Sequence, residues 1–298
     1  MVLAAGYVGL VTIGCGFQER LIFPRHFAGS PTVDPTPPTE RWWIDQDESR
    51  VLTEAAKPTE GRFTEVWFEP APSRSAETPG PVVLYFHGNG EIIEEIPRFA
   101  WKQYLDAGVS VAVLEYRGYG KSDGTPGQAR IVRDAVVLRD HLATHPLADP
   151  DRMIYHGRSI GGGVASQLAA QRPPAAMVLD STFTSVPAVA RRFLVPPFLI
   201  RHQFRTDRVL AEAGWPVLLS HGTNDTIIPH RHSEELHATT PDSTLFLYEG
   251  DGHNDMPRAT SLYRERLHDF LNGRRLIEPP ETPRAPAMPP TDPTPPAP

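Results

Sequence analysis

Several things are scarce or missing in this 298-residue chain, and each narrows what it can be. Its only cysteine is Cys15, and no Cys/His spacing resembles a zinc site, so no metal is implied. Lys and Arg number 29 against 36 Asp and Glu, a formal net charge of −7, and the arginines are scattered. Without a basic stretch, nucleic acid is not an expected partner. The glycine-rich loops match neither the P-loop nor the G-x-G-x-x-G pattern, so no nucleotide or other cofactor is implied. No apolar run reaches the roughly 20 residues of a comfortable membrane-spanning helix. Residues 2–17 carry no charge at all, but they fall short of that length.

What the chain does have is alternation. Strand-like runs at 82–86, 110–115, 152–156, 176–180, 216–220 and 244–248 alternate with helix-like runs. The helices are expected at 91–106, 127–142, 160–171, 230–237 and around 258–272. That order predicts an α/β fold, with a mostly parallel central sheet and helices on both faces. Residues 41–63 give no clear strand assignment. Between Asp180 and Trp215 the chain is too short for a large cap domain.

One pentapeptide stands out. Gly157-Arg158-Ser159-Ile160-Gly161 lies between the strand at 152–156 and a helix opening with Gly161-Gly162-Gly163. A G-x-S-x-G sequence in that setting forces the serine onto a sharp strand-to-helix turn, where flanking glycines avoid collisions with neighbouring backbone. The hydroxyl then projects at a helix N-terminus, which favours developing negative charge. A serine nucleophile needs a base, and the base needs an orienting acid. Asp225 follows the strand at 216–220, within His221-Gly222-Thr223-Asn224-Asp225, and His253 follows the strand at 244–248, within Gly252-His253-Asn254. Asp251 and Asp255 compete for the acid role, but they flank His253 too closely. His156 and His221 are expected to pack or hydrogen-bond near the site. A tetrahedral intermediate also needs two preset N–H donors. Ile160, next to the nucleophile, and Asn89, in the loop His87-Gly88-Asn89-Gly90, are the candidates.

Taken together with Tyr116-Arg117-Gly118-Tyr119-Gly120-Lys121-Ser122-Asp123-Gly124, these segments resemble the α/β-hydrolase superfamily. More narrowly, they look like the small α/β-hydrolase-domain proteins, many of which are tethered to membranes at the N-terminus. The matching segments span about residues 64–273. The resemblance implies an α/β-hydrolase fold, a Ser159, Asp225 and His253 triad, and oxyanion donors at Asn89 and Ile160. The Tyr116–Gly124 loop would then be a structural turn beside the site.

The apolar stretch at 193–200, edged by Arg191, Arg192 and Arg201, is placed where this fold builds its substrate wall. Phe193 and Phe198 there, and His87 on the opposite loop, are candidate pocket residues, with His87 expected to brace its loop rather than to do chemistry. An acyl chain against that wall, with arginines at lipid headgroups, is one reading; a plain packing helix is the other. The expected function is a serine hydrolase acting on an ester or thioester through an acyl-enzyme, on a small-molecule or lipid acyl substrate. A peptidase or amidase on the same triad is the alternative, and a non-catalytic module with this fold the third.

The ends differ from the middle. Residues 1–23 are read as an anchor or signal segment, 24–40 as a proline-rich linker, 41–277 as the hydrolase domain, and 278–298 as a proline-rich disordered tail. Cys15 after Val11-Thr12-Ile13-Gly14 loosely resembles a lipobox, so the anchor is either lipoprotein-like or a signal-anchor helix, with a buried helix as the remaining option. Membrane association is expected, and a chain starting at Glu40 is expected to be soluble and active.

Overall fold

The computed structural model describes residues 18–96, 98–255 and 260–277. Its nine strands are β1 (Glu40–Asp45), β2 (Arg50–Thr53), β3 (Phe63–Glu69), β4 (Gly80–Phe86), β5 (Ser110–Leu114), β6 (Ala148–Arg158), β7 (Ala176–Asp180), β8 (Val217–Gly222) and β9 (Ser243–Tyr248). They form one sheet in the order β2-β1-β3-β5-β4-β6-β7-β8-β9. β1 pairs antiparallel with both β2 and β3, β3 pairs antiparallel with β5, and every later pairing is parallel.

The helices are α1 (Arg98–Leu105), α2 (Gln128–Leu142), α3 (Ile160–Ala169), α4 (Val186–Ala190), α5 (Thr206–Ala211), α6 (Arg231–Thr239) and α7 (Ser261–Gly273). The sheet is covered on both faces because its central strands are apolar on both. In β4, Val82, Leu84 and Phe86 join one core with Ile131, Ala135, Leu138 and Leu142 of α2 and with Val164 and Leu168 of α3. Val83 and Tyr85 join the other, with Trp101 and Tyr104 of α1 and Tyr263, Leu267 and Phe270 of α7. The spacing of four, three and four along α2 is that of a single buried helical stripe. Between β7 and β8 the chain makes α4, α5 and two single 3₁₀ turns, Arg191–Phe193 and Pro197–Leu199, with no separate cap domain.

The structure departs from the sequence reading in three places. The helix expected over 91–106 is instead a 3₁₀ turn, Ile93–Glu95, followed by α1 from Arg98. Proline at 97 has no N–H for a helical bond, so the helix begins after it. Residues 41–63, unassigned from sequence, hold most of the β1–β2 hairpin, and β3, also absent from the expected strands, follows it, with Trp42 stacked on Phe68 of β3 at 4.4 Å.

The third departure is at the N-terminal side. Residues 18–22 are helical, and Phe23 is 1% exposed, edge-on to His202 and Phe204. Thr32 and Val33 donate backbone N–H to Glu94, and Asp34 pairs with both Arg41 and Lys121. The proline-rich stretch is therefore packed on the domain rather than a free linker, and a chain cut at Glu40 would lose part of the core. Among the described residues no helix is long and apolar enough to cross a membrane. Of the expected anchor segment 1–23, residues 1–17 with Cys15 lie outside the described residues, as does the tail at 278–298.

Candidate active site

Ser159 joins the end of β6 to the start of α3, with φ 54° and ψ −118°. A left-handed φ at a residue with a side chain is strained, and strain of this kind persists only where surrounding contacts over-determine it. Here the Ser159 N–H donates to Asp180 O at 2.9 Å, and its carbonyl accepts from Thr182 Oγ1 at 2.9 Å and Gly162 N at 3.0 Å. The glycines make the turn fit. A Cβ at Gly157 would meet Gly161 O at 2.3 Å, and one at Gly161 would meet Phe86 O at 2.0 Å.

Asp225 follows β8 and His253 follows β9, and the parallel sheet brings both loops to the end of β6. His253 Nε2 is 3.1 Å from Ser159 Oγ, and His253 Nδ1 is 2.6 Å from Asp225 Oδ2. Asp225 Oδ1 accepts the N–H groups of Ile227 (2.9 Å) and Ile228 (2.8 Å). Burial opposes ionisation of this carboxyl. Hydrogen bonds from His221 and His253, with the His253 charge, outweigh it and hold Asp225 well below the usual carboxylate range.

His221 makes a bond that sequence reasoning left unassigned. Its Nε2 lies 2.8 Å from Ile228 O and 3.1 Å from Asp225 Oδ2, while Nδ1 lies 2.7 Å from Ser233 Oγ. A carbonyl only accepts, so Nε2 carries the proton and Nδ1 accepts from Ser233. Asp225 is thus held by two imidazoles. His156 is likewise structural: Tyr104 Oη meets its Nδ1 at 2.8 Å, and its Nε2 meets Asp180 Oδ2 at 2.9 Å. Tyr263 donates to the same Asp180 oxygen at 2.8 Å. This buried network lies under the strand that carries Ser159.

Of the two expected oxyanion donors, Ile160 is the first residue of α3, so its N–H has no acceptor within the helix. Asn89 is exposed in the loop after β4, and its side-chain oxygen accepts from Tyr119 Oη at 3.2 Å. His87 does not line a pocket. It is fully buried, stacked on Tyr116 at 4.0 Å, with Nδ1 at Gly88 O and Nε2 at Glu115 Oε1, both 2.9 Å. Burial pulls its pKa down, but the Glu115 carboxylate prevails and raises it. Held between the Gly88 carbonyl and the Glu115 carboxyl group, the ring braces the loop.

Arg158, the first variable residue of the pentapeptide, ties the site together. Its guanidinium donates to Glu91 Oε1 at 2.7 Å, Asn254 Oδ1 at 2.7 Å and His253 O at 3.1 Å. Glu91 also accepts the Gly88 N–H at 2.6 Å. One buried arginine therefore links the serine turn, the Asn89 loop and the His253 loop. Its signal in the sequence was only an arginine where any residue is tolerated.

The expected substrate wall is different from the reading above. Phe193 and Phe198 are 64% and 82% exposed, so they form surface rather than the lining of a closed pocket. A cavity of about 800 Å³ is lined by residues of α2, of 201–205 and Glu19, and none of Ser159, Asp225 or His253 borders it.

Comparison with known proteins gives a consistent likeness. A family model described as serine aminopeptidase, S33, matches residues 77–201. The uncharacterised protein YfhR of Salmonella typhi is 31% identical over 243 residues, which is 75% of this chain and 82% of that one. The α/β hydrolase domain-containing protein WAV2 of Arabidopsis thaliana is 28% identical, covering 78% of this chain and 80% of its own. Among solved structures, Est1E from Butyrivibrio proteoclasticus, with ferulic acid bound, superposes with a TM-score of 0.65 at 18% identity, over 78% of this chain and 98% of its own. The Pyrococcus furiosus esterase Pf2001 superposes at 0.63 and 18%, over 83% and 98%. A Mycobacterium tuberculosis puromycin-hydrolyzing peptidase gives 0.63 and 20%, over 82% of this chain and 41% of that one. At these identities the structural likeness establishes the fold.

Proposed function

The chain belongs to the α/β-hydrolase superfamily, and from that premise we propose that it is a serine hydrolase cleaving an ester or thioester of an acyl group. The observation that carries the reading is the continuous chain from Ser159 Oγ through His253 Nε2 and Nδ1 to Asp225 Oδ2, at 3.1 and 2.6 Å. As Ser159 Oγ attacks the substrate carbonyl, His253 Nε2 takes its proton, and Asp225 fixes the ring tautomer and steadies the imidazolium. The N–H groups of Ile160 and Asn89 receive the oxyanion. His253 returns the proton to the departing alcohol or thiol, leaving the acyl group on Ser159. A water, deprotonated by the same nitrogen, then releases the acid. No step needs a metal or cofactor.

The test is fluorophosphonate labelling of the full chain. Wild-type protein takes the label at Ser159, and Ser159→Ala and His253→Ala do not. A Ser159→Ala variant with near-normal turnover would overturn the assignment. A peptidase or amidase is the second reading, favoured by the serine aminopeptidase match and by the puromycin-hydrolyzing neighbour. A panel of p-nitrophenyl esters of rising chain length beside an aminoacyl anilide decides between them.

We also propose attachment to a membrane through the uncharged residues 2–17, either by lipidation at Cys15 or as a signal anchor. The full chain is expected to sediment with membranes; recovery wholly in the soluble fraction rules this out. Cys15→Ser releases a lipoprotein but leaves a signal anchor in place.

A further inference from the structure

Four large apolar side chains lie exposed on two segments, 193–198 and 18–22, that flank Phe23 and Phe204 of the core shared with α2 and α3. Phe193, Leu194 and Phe198 are 64%, 73% and 82% exposed, and Leu21 is 67% exposed. Leu194 holds a φ of 57°, a conformation that a leucine adopts only at a cost in strain. The two segments are joined directly. The Gln18 side chain donates to Leu199 O at 3.3 Å and accepts from Arg201 N at 2.8 Å, and Phe23 packs on His202 and Phe204. Gln18, the first of the described residues, therefore lies beside Leu199 and Arg201.

The charge within this segment is one-sided, while Glu19, Asp207 and Glu235 line the adjoining cavities. In a chain of net charge −7, residues 181–206 contain no Asp or Glu but carry Arg191, Arg192, Arg201 and Arg205. The neighbouring 800 Å³ cavity adds Arg130 and Arg133 to its rim. Arg130 is partnered by Glu19 and Arg205 by Asp207. Arg133, Arg191, Arg192 and Arg201 have no carboxylate partner among the described residues. Aromatic and leucine side chains surrounded by unpaired arginines are the chemistry of an interface between hydrocarbon and phosphate.

We propose that this face docks on the surface of an anionic lipid bilayer, with Phe193, Leu194 and Phe198 at the acyl boundary and Arg191, Arg192 and Arg201 at the phosphates. The patch adjoins the candidate site, because Arg192 donates to Thr226 O at 3.3 Å, one residue from Asp225. Docked in this way, the enzyme draws its acyl substrate from the bilayer itself. That last step rests on the hydrolase reading above; the docking does not.

The test places the photoreactive residue p-benzoylphenylalanine at Phe198, and separately at Glu265 on α7, on the opposite face of the sheet. The full chain is irradiated with vesicles of equal parts phosphatidylcholine and phosphatidylglycerol. Lipid adducts should form at 198 several-fold more than at 265. Each arginine facing the phosphates contributes about fivefold in partitioning, equivalent to about 1 kcal/mol. Arg191→Gln and Arg201→Gln should each lower the adduct yield at 198 by about that factor, as should pure phosphatidylcholine vesicles. Equal lipid yields at 198 and 265 overturn the proposal, and so does a chain-to-chain adduct at 198, which would identify a second copy as the occupant. Fluorophosphonate labelling of the same samples reads the hydrolase assignment separately.

Discussion

Replacing Arg158 by methionine tests whether one ion pair organises the candidate site. The side chain is 5% exposed and donates to Glu91, Asn254 and the His253 carbonyl. Removing one partner of a buried pair costs about 3–5 kcal/mol, because the other charge is left uncompensated. Glu91 is 24% exposed and keeps its bond to the Gly88 N–H, so water relieves part of that cost and the low end applies. A loss of about 3 kcal/mol lowers the melting temperature of a domain this size by roughly 6–12 °C. The larger effect should be on rate. The Asn89 loop and the His253 loop lose their common tether, and a misplacement of about 1 Å in catalytic geometry costs about 10²-fold. The assay is turnover of a p-nitrophenyl ester, with kcat and KM separated, beside a thermal melt. Arg158→Lys keeps the charge but reaches fewer acceptors, so it should recover melting temperature more than kcat. An Arg158→Met variant with kcat within about twofold of wild type refutes the reasoning.

Asp225→Asn should leave His221 or His253 facing an amide N–H, locking a wrong tautomer and lowering kcat about 10³–10⁴-fold, measured on the same ester. Compared with a chain starting at Gln18, one starting at Glu40 loses Phe23 from the core, a deletion worth about 3–5 kcal/mol; equal melts for the two would sink this. Burial, with Arg231 and His221 nearby, holds His232 down to about 4, below the roughly 6.5 of an unfolded histidine. The unfolded chain therefore binds a proton that the folded chain refuses, so this residue's contribution is intact above about pH 6.5 and lost between there and about 4. A His232→Gln variant should show a shallower fall in melting temperature across that window, and identical slopes count against the assignment.

The features legible in the sequence are those whose cause is local. Strand, glycine turn and helix around Ser159 follow from residues within a few positions of one another, and β4 announces itself as an unbroken apolar run because both its faces are buried. The positions of Asp225 and His253 past the ends of β8 and β9 were also readable, since a parallel sheet brings the ends of its strands to one side. β1 and β2 were not. What holds them is pairing with each other and with β3, including the stack of Trp42 on Phe68, which no local pattern encodes.

The same distinction separates the site residues. The types and order of Ser159, Asp225 and His253 were written in the chain, but the partners that fix them come from distant segments: His221 beside Asp225, Asp180 under the Ser159 N–H, and Arg158 reaching Glu91 and Asn254. His87 was expected beside substrate and is instead buried against Glu115. Residues 24–40 read as a spacer because proline suppresses regular structure, yet they pack, because Thr32, Val33 and Asp34 find partners in Glu94, Arg41 and Lys121 that only the folded domain provides. Sequence determines which groups are available and what local shape they favour. Which of them meet is decided by burial and charge pairing across long chain separations, and those energies exist only once the sheet has assembled.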